Sequence, residues 1–420
     1  MRIRTRARTT RTLPGIVWAA AWVSFFADVS TEMIYGVLPA FYLGTLSLSI
    51  LSLGVIEGLA ESLVSVTKLF SGALSDRTGR RKRWMLVGYS VSAAAKPLLV
   101  AASSGFGVGA LRSVDRFGKG VRGAPRDALV ASRVRADDRG RAFGVIRALD
   151  HGGALTGGLI AAGALAAGLL TPGRLFVFSV IPGAIAVLVV AIFIHEPRDD
   201  GEKQEDRPPF SPRAAWRSAG PGLKRYLIPA GVFALANSSD MLLLALCYER
   251  FMDAGMAPRS ALGQLPLLWA LLHVVRSAGS AWGGALSDRV GRVVLLRWSW
   301  VIYSGVYLFA ALFALGAAPA LAWPLFLVYG VSTALMEAPE RALISDLEPA
   351  AGRRGTAYGL VHFVQGLLAL PATALAGVLW LRFGAEWAFG VDAALALVAT
   401  VILGRVVPSD RVRTPARPPG

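Results

Sequence analysis

The sequence predicts an all-α integral membrane protein with twelve transmembrane helices, arranged as two six-helix pseudo-repeats. Hydrophobic residues make up 54% of the 420 residues and charged residues only 17%, with a mean hydropathy of +0.53. A soluble protein of this size carries more charge. Apolar runs long enough to cross a bilayer as helices recur along nearly the whole chain. A charged motif also occurs twice, once in each half of the sequence.

The apolar runs fall into two groups of six, separated by a polar break. The break contains the charged segments RDD and EKQEDR and two adjacent prolines, which is typical of a solvated linker. We therefore predict an N-terminal bundle at residues 1–195, a cytoplasmic linker at 196–223 and a C-terminal bundle with a short basic tail at 224–420. The predicted spans are residues 14–44, 49–75, 83–104, 107–131, 140–168, 174–195, 224–250, 260–287, 293–316, 320–346, 355–382 and 385–406.

The distribution of Lys and Arg predicts the orientation of the chain in the membrane. The net charge is +17, and the basic residues concentrate at both termini and in the loops after helices 2, 4, 8 and 10. By the positive-inside rule, these loops, the linker and both termini are cytoplasmic, and we expect a bacterial inner (plasma) membrane. The same distribution argues against nucleic acid as a partner. Residues 1–11 resemble the start of a signal peptide, but no clear cleavage site follows, which favours a retained leader.

The repeated motif shows that the two halves of the chain are related. Residues 72–82 read GALSDRTGRRK, and residues 284–292 read GALSDRVGR. Asp28 in helix 1 and Asp240 in helix 7 are separated by the same interval as the two motif copies. Parallel repeats of this kind place a substrate site at the interface between the halves, near the middle of the membrane.

This organisation resembles the major facilitator superfamily, whose members have two six-helix halves, a central cytoplasmic loop and a GxLxDRxGRRK loop after helix 2. The resemblance covers nearly the full chain. Within the superfamily, the RxxDRxGKGxR pattern at residues 112–122 and APRDAL at 124–129, which returns as APERAL at 338–343, resemble a bacterial branch. The resemblance implies a secondary transporter that works by rocking of the two halves around a central cavity.

The resemblance also implies a function for the repeated loops, which would latch the halves together in the outward-open state. An ordinary positive-inside loop is the alternative, and it explains the arginines but not the repeated aspartate and glycines. The residues assigned to the latch are Gly72, Asp76, Arg77, Gly79, Arg80, Asp288, Arg289 and Gly291.

Charged residues inside the apolar spans are concentrated in the N-terminal half. Each costs roughly 2.5–3.5 kcal/mol to insert at mid-membrane, so these residues must face one another or a wet cavity. The acids are Asp28, Glu32, Glu57, Glu61, Asp115 and Asp150, and the bases are Lys68, Lys96, Arg112, Arg116, Lys119, Arg122 and Arg147. The alternative for any one of them is that it only holds neighbouring helices together.

We assign two sets of candidate residues to the transport process. Embedded carboxylates mark proton paths by default, and a poorly hydrated one exchanges protons near neutral pH. The proton-coupling candidates are Asp28, Glu32, Glu57, Glu61 and Asp150. Arg112 and Arg116 are expected to tune them or to hold an anionic group. The substrate-cavity candidates are Arg112, Asp115, Arg116, Lys119, Asp240, His273, Arg276 and Gln365.

Helix 5 bears on the direction of transport. Its segment from Gly153 to Ala162 resembles the antiporter motif GxxxGPxxGG, but Gly158 replaces the proline and alanines replace the last glycines. We predict a proton-coupled antiporter that exports a small organic molecule. The alternatives are a symporter that imports an organic anion, and a non-transporting membrane sensor. We expect a monomer without cofactor or metal, and no enzyme, because the chain lacks a Walker loop, a nucleophile elbow and a zinc-protease motif, and Cys247 is its only cysteine.

Overall fold

A computed structural model describes residues 12–135, 138–196, 211–348 and 354–407. Within these ranges it does not describe the side chains of Ala73, Asp76, Ser280, Ala281 and Arg354, nor the environment of Gly140. Residues 197–210, half of the predicted linker, therefore lie outside the described residues, as do the basic N-terminal leader, the C-terminal tail and the side chain of Asp76 in the predicted latch.

The described chain is helical and follows the predicted order of spans, with boundaries within a few residues of the prediction except at the ends of α1 and α3. The twelve helices, two of them in two pieces, are α1 (Gly15–Tyr35), α2 (Ile50–Thr78), α3 (Arg81–Leu98), α4 (Gly105–Arg133), α5 (Arg139–Ala166), α6 (Pro172–Phe178 and Val180–Phe193), α7 (Pro221–Ala236 and Asp240–Asp253), α8 (Pro258–Val290), α9 (Arg292–Ala314), α10 (Ala322–Leu347), α11 (Arg354–Phe383) and α12 (Ala385–Val406).

Nine of these helices, counted over the described ranges, are long and apolar enough to cross a membrane. The other three are α1, α4 and α5. All three carry embedded charges, which lower their mean hydropathy without shortening them. The three charged helices therefore need protein or water around their polar side chains, since lipid offers neither hydrogen bonds nor counter-charges.

The two halves meet along two pairs of helices. Inside the N-terminal half, α1 packs on α5 and α6, and α4 packs on α2 and α3. Inside the C-terminal half, α10 packs on α8 and α9, and α12 packs on α7 and α9. Between the halves, α2 lies along α11 and α5 lies along α8. Glycines permit this close approach: a Cβ on Gly54 would lie 2.7 Å from the Thr373 carbonyl oxygen, and one on Gly58 would lie 2.9 Å from the Cα of Leu370.

Both copies of the repeated motif end a helix with a glycine in a backbone conformation that other residues rarely adopt. Gly79 follows α2 with φ 62°, and Gly291 follows α8 with φ 97°. Each glycine lets the chain turn back within one or two residues into the next helix. The glycines in the motif thus explain the tight connections that the sequence predicted there.

Three features of the fold differ from the predicted spans. Helix α7 is interrupted at Asn237–Ser239, where the sequence suggested a continuous span. Helix α1 ends at Tyr35, and the chain then forms the short α-helix Leu38–Ala40 and the π-helix Phe41–Thr45. The predicted solvated linker contains a helix at Pro212–Ser218, begun by the hydroxyl of Ser211, which accepts a hydrogen bond from the Ala214 N–H.

Candidate functional site

The centre of the N-terminal half is a fully buried ion pair. The guanidinium of Arg112 on α4 donates to both carboxylate oxygens of Glu57 on α2, at 2.8 and 2.9 Å. Both side chains have 0% exposure. Tyr42 donates to the same carboxylate at 3.3 Å. A bidentate arginine is the arrangement that best compensates a carboxylate for its lost water, so this pair joins α2 to α4.

A second part of the network attaches α3. Asp115 accepts a hydrogen bond from Ser92 of α3 at 2.6 Å and lies 3.2 Å from Arg112. Lys96, also on α3, donates to the hydroxyl of Ser30 on α1 at 3.0 Å. Four helices of the N-terminal half are thus connected through polar side chains inside the bundle. Removing Arg112 would leave the buried carboxylate of Glu57 without a cation.

Other embedded charges face the space between the halves. Arg116 lies 3.8 Å from Glu61, whose side chain is about half exposed, and the buried Nε atom of Arg116 has no hydrogen-bond partner among the described residues. Lys119 and Asp28 are half-buried, and the structure describes no hydrogen bond or ion pair for either side chain within the resolved ranges. The charged groups near Lys119 include Glu61, Asp28 and Glu32. The side chains of Lys119, Glu61, Asp28 and Glu32 form one charged surface, which we call the N-terminal wall.

Asp150 on α5 is held differently from Asp28. Its carboxylate lies 3.7 Å from Arg126 and 3.9 Å from Arg147. Arg126 also binds Asp127 at 3.0 Å and donates to the hydroxyl of Ser24. The structure therefore surrounds Asp150 with cations.

The C-terminal half supplies the opposite wall. Arg276 on α8 forms a short ion pair with Glu337 on α10. Glu340, one turn further along α10, accepts hydrogen bonds from Tyr226 at 2.8 Å and from Gln365 at 2.9 Å. The sequence analysis did not single out Glu340, although it occupies the place of Arg126 when APERAL is aligned with APRDAL. This reversal of charge between matching positions of the repeat could have identified Glu340 from the sequence.

Asp240 and His273 lie deeper in this half. The carboxylate of Asp240 accepts a short hydrogen bond from Tyr329 on α10. The His273 ring packs edge-on against Trp269, and its two nitrogens are buried without hydrogen-bond partners in the described chain. Across the interface the His273 ring centroid lies 5.9 Å from that of His151 on α5. His273 thus lies across the interface from the N-terminal half, whereas the cavity candidates Arg112 and Asp115 are buried inside that half.

The halves are joined at the end of the bundle away from the arginine-rich loops, which we call the far end. The indole N–H of Trp269 on α8 donates to Glu32 on α1 at 2.6 Å, and the Trp269 and Tyr35 rings lie 4.6 Å apart. Arg259 at the start of α8 donates to the carbonyls of Leu165 and Ala166, at the end of α5. The last two bonds cap α5 with a cation from the other half.

At the arginine-rich end, here called the basic end, each repeated loop binds its own half. Arg81 donates to the Ala128 carbonyl at 3.5 Å. Arg292 donates to the Ala342 carbonyl at 3.0 Å and pairs with Asp346. The contacts named at this end join each loop to its own half, whereas those named at the far end join the two halves.

The predicted latch residues lie at the basic end. Asp288 is 71% exposed and lies 4.0 Å from Arg292 within its own helix pair. The remaining charged latch residues with described side chains are exposed, and these are Arg77, Arg80 and Arg289. Whether they join the halves in another conformation stays a prediction.

A separate groove lies between α5 and α8 near the far end. It has a volume of about 490 Å³ and is mainly apolar, with Leu159, Ala162 and Leu267 in its walls and Arg259 and Gln264 as its larger polar side chains. The groove contains none of the candidate proton or cavity residues. No group of three or more His, Cys, Asp or Glu side chains in the described residues has the arrangement of a metal site.

Comparison with known proteins agrees with this architecture. The family model of the Major Facilitator Superfamily matches residues 20–373. An uncharacterized MFS-type transporter of Methanocaldococcus jannaschii is 29% identical over 395 residues, covering 94% of this chain and 95% of that protein. An uncharacterized protein of Mycobacterium tuberculosis is 27% identical over 346 residues, covering 81% of this chain and 80% of the relative. Archaeal and bacterial proteins both match, so the bacterial branch stays a prediction.

The fold also matches solved transporter structures. The nucleoside transporter NupG superposes with a TM-score of 0.75 at 13% identity, covering 93% of this chain and 99% or more of that one. A POT family transporter in complex with 5-aminolevulinic acid gives a TM-score of 0.76 at 12% identity, covering 95% and 96% of the two chains. At these identities the similarity establishes the twelve-helix fold and says nothing about the cargo.

Proposed function

This chain belongs to the major facilitator superfamily, and we propose that it is a proton-coupled antiporter that exports a small organic molecule by alternating access. Membership in the family makes the protein a secondary transporter of the membrane and not an enzyme. The proposal adds the coupling ion, the direction and the residues. It also places the basic end in the cytoplasm, as the distribution of Lys and Arg indicates.

One observation carries the proposal: the carboxylate of Asp28 is half-buried at the central space, and the described residues give it neither a hydrogen bond nor an ion pair. Glu57, by contrast, is bound twice by Arg112, and its side chain is fully buried. Asp150 lies between two arginines. A carboxylate that changes its protonation during each cycle must be reachable and uncommitted, and Asp28 meets both conditions.

The cycle follows from the position of Asp28, whose charged neighbours include Asp150, Lys119 and Glu32. In the conformation open to the basic end, Asp28 loses its proton to the cytoplasm and the cavity takes up cargo. The halves then rock so that the basic end closes and the far end opens. Cargo leaves to the outside, a proton from outside binds Asp28, and the neutral carboxyl lets the empty transporter return.

In this proposal Glu32 couples the charge of the N-terminal wall to the contact between the halves at the far end. It is part of the N-terminal wall and also accepts the hydrogen bond from Trp269 of the other half. A change of charge on the wall therefore alters a bond that holds the halves together. The repeated loops would latch the basic end in the alternate state, where the far end is open.

Everted membrane vesicles give the test. Respiration acidifies their interior and quenches an acridine dye, and a panel of small organic cations, anions, zwitterions and neutral compounds is then added. An antiporter exchanges lumenal protons for an active compound, so dye fluorescence recovers. We expect recovery with the unmodified protein and none with Asp28→Asn. Asp253→Asn, at the exposed end of α7, is the control and should behave as the unmodified protein. Full recovery with Asp28→Asn would overturn the assignment.

Uptake of an organic anion by proton symport is the second candidate. The observation in its favour is that Lys119 is half-buried with no described partner and that the buried Nε atom of Arg116 has no hydrogen-bond partner in the described chain. These groups could bind a carboxylate or phosphate. A symporter carries protons and anion in the same direction, so the everted vesicles would show further quenching rather than recovery. Arg116→Gln should then abolish the response to anions.

A further inference from the structure

The break in α7 is supported by side chains from two neighbouring helices. Tyr303 on α9 donates to the Ala236 carbonyl and to the side-chain oxygen of Asn237, each at 3.1 Å. The N–H of Ser239 donates to the hydroxyl of Thr373 on α11 at 3.2 Å. Backbone groups freed by a helix break inside a membrane need such partners. The break is therefore a built feature of the fold, and discontinuous helices in transporters are commonly found at ion sites.

A buried carboxylate lies directly against this break. Asp392 on α12 has 1% exposure, and the hydroxyl of Ser238 donates to its Oδ2 atom at 2.6 Å. No ion pair with Asp392 occurs within the described ranges. Asp392 was not among the predicted site residues, because it is a single acid in an otherwise apolar run.

The surroundings of Asp392 provide hydroxyl groups and no cation. Helices α7, α9 and α11 enclose this part of α12. They bring Ser238, Tyr303 and Tyr307 near the carboxylate, and Asp240 is the further charge near Tyr307. The cations on these four helices whose side chains are described lie toward helix ends and form no pair with Asp392; they are Lys224, Arg225, Arg250, Arg292, Arg297, Arg382 and Arg405.

The contrast with the buried acids of the N-terminal half is decisive for the charge of Asp392. Glu57 and Asp115 are equally buried, but each contacts Arg112. A buried carboxylate with one hydroxyl donor and no cation is too costly to keep ionised, and the acid becomes neutral instead. With Ser238 bonded to one oxygen of Asp392, the other oxygen is left to carry a proton.

We propose that Asp392, Ser238 and the α7 break form a proton-binding site in the C-terminal half, separate from the N-terminal wall. Tyr307 is the group that links this site to the central space. Its hydroxyl is fully buried near the hydroxyls of Tyr303 and Tyr329, and its ring stacks on Tyr303 with centroids 4.3 Å apart. Both Asp392 and the cavity-facing Asp240 are among the charged groups near it. Protons reach Asp392 from Asp240 by way of the tyrosines.

Infrared spectroscopy of the purified protein tests this site without knowledge of the cargo. A protonated carboxyl has a C=O stretching band that ionised carboxylates and backbone amides lack. At neutral pH, the spectrum of the unmodified protein minus that of Asp392→Asn should contain this band, and the band should shift in heavy water. Ser238→Ala keeps the carboxyl but removes its donor, so the band should remain and move. This second variant also serves if Asp392→Asn fails to fold.

Two results would overturn the proposal. If Asp392→Asn and Ser238→Ala both leave the carboxyl region unchanged, Asp392 is ionised. If the band is present in potassium buffer and disappears on addition of sodium, the site holds a metal cation in place of the proton. Asp253→Asn, on the exposed end of the same helix α7, should leave the band as it is. The outcome is independent of the vesicle assay, because it reports one carboxyl group and not flux.

Discussion

The two halves share one scaffold but treat embedded polar groups differently. In the N-terminal half, acids and arginines pair directly, as Glu57 and Arg112 do. In the C-terminal half Arg276 pairs with Glu337, but hydroxyl groups bind three other acids: Tyr329 binds Asp240, Tyr226 binds Glu340 and Ser238 binds Asp392. A hydroxyl and a guanidinium both satisfy a carboxylate oxygen, but only the guanidinium brings a positive charge to the carboxylate.

We infer from this difference that the two halves have different functions in transport. Asp28 and Asp240 occupy matching positions in the repeat, yet Asp240 is bound by Tyr329 while Asp28 has no partner among the described side chains. We infer that Asp28 exchanges protons with the cavity during transport. The C-terminal half instead holds its acids in hydrogen-bonded positions. The following predictions test this comparison, from the largest expected effect to the smallest.

The Glu57–Arg112 pair gives the largest expected effect. Arg112→Leu leaves a fully buried carboxylate without a cation and should destabilise the protein by about 3–5 kcal/mol. The matched change in the other half, Arg276→Leu, leaves Glu337, which is only partly buried, without this arginine and should cost less than Arg112→Leu. Thermal unfolding in detergent, followed by tryptophan fluorescence, measures both variants. The double variant Glu57→Leu with Arg112→Leu should recover most of the lost stability. If it does not, the two side chains stabilise the protein by more than mutual charge compensation.

The hydrogen bond between Trp269 and Glu32 gives the next effect. Trp269→Phe keeps an aromatic ring against Tyr35 but removes the donor, and a bond to a charged group contributes about 1.5–3 kcal/mol. The population with the far end open should therefore rise at least tenfold. Distances between spin labels placed at residues 47 and 255 report this opening. Trp282→Phe on the same helix is the control, because Trp282 is 66% exposed. Equal distance distributions for both variants would contradict the role of the bond.

The glycines that end the two motif helices give a smaller and unequal effect. Gly79 has φ 62° and ψ 3°, a left-handed conformation that other residues adopt at a cost of about 1–2 kcal/mol. Gly291 has φ 97° and ψ 139°, outside that region, so Gly291→Ala should destabilise more than Gly79→Ala. Gly79→Asn should be milder than Gly79→Ala, because asparagine tolerates the left-handed region. Chemical unfolding of the three variants ranks them, and the reverse order for the alanine variants would refute this explanation.

The aspartates of the repeated loops give the smallest effect on stability. Asp288→Asn changes an exposed side chain and should alter unfolding by no more than about 0.5 kcal/mol. For transport we expect Asp76→Asn to impair flux more than Asp288→Asn, because the first copy alone keeps the full basic segment RRK after its Gly79. Initial rates in the vesicle assay compare the two variants. Equal rates would remove the asymmetry between the motif copies.

Much of the architecture was predictable from the sequence, because twelve apolar runs and a repeated motif determine the spans and their order. The interruption of α7 was not predicted, although the polar segment NSSD at residues 237–240 lies inside that span. Periodicity and hydropathy do not reveal which hydroxyl of another helix will satisfy a broken backbone. The side-chain pairs depend in the same way on how helices are placed: that Arg112 meets Glu57 while Asp28 is left free follows from packing.

The central claim is that the matching aspartates of the two halves do different work. Compound-driven fluorescence recovery in everted vesicles, measured for Asp28→Asn and Asp240→Asn at equal expression, tests it most directly. The account predicts that Asp28→Asn abolishes recovery, whereas Asp240→Asn keeps a substantial part of it, since Tyr329 can donate to the amide oxygen as it does to the carboxylate. Wild-type recovery with Asp28→Asn, or complete loss with both variants, would contradict the account.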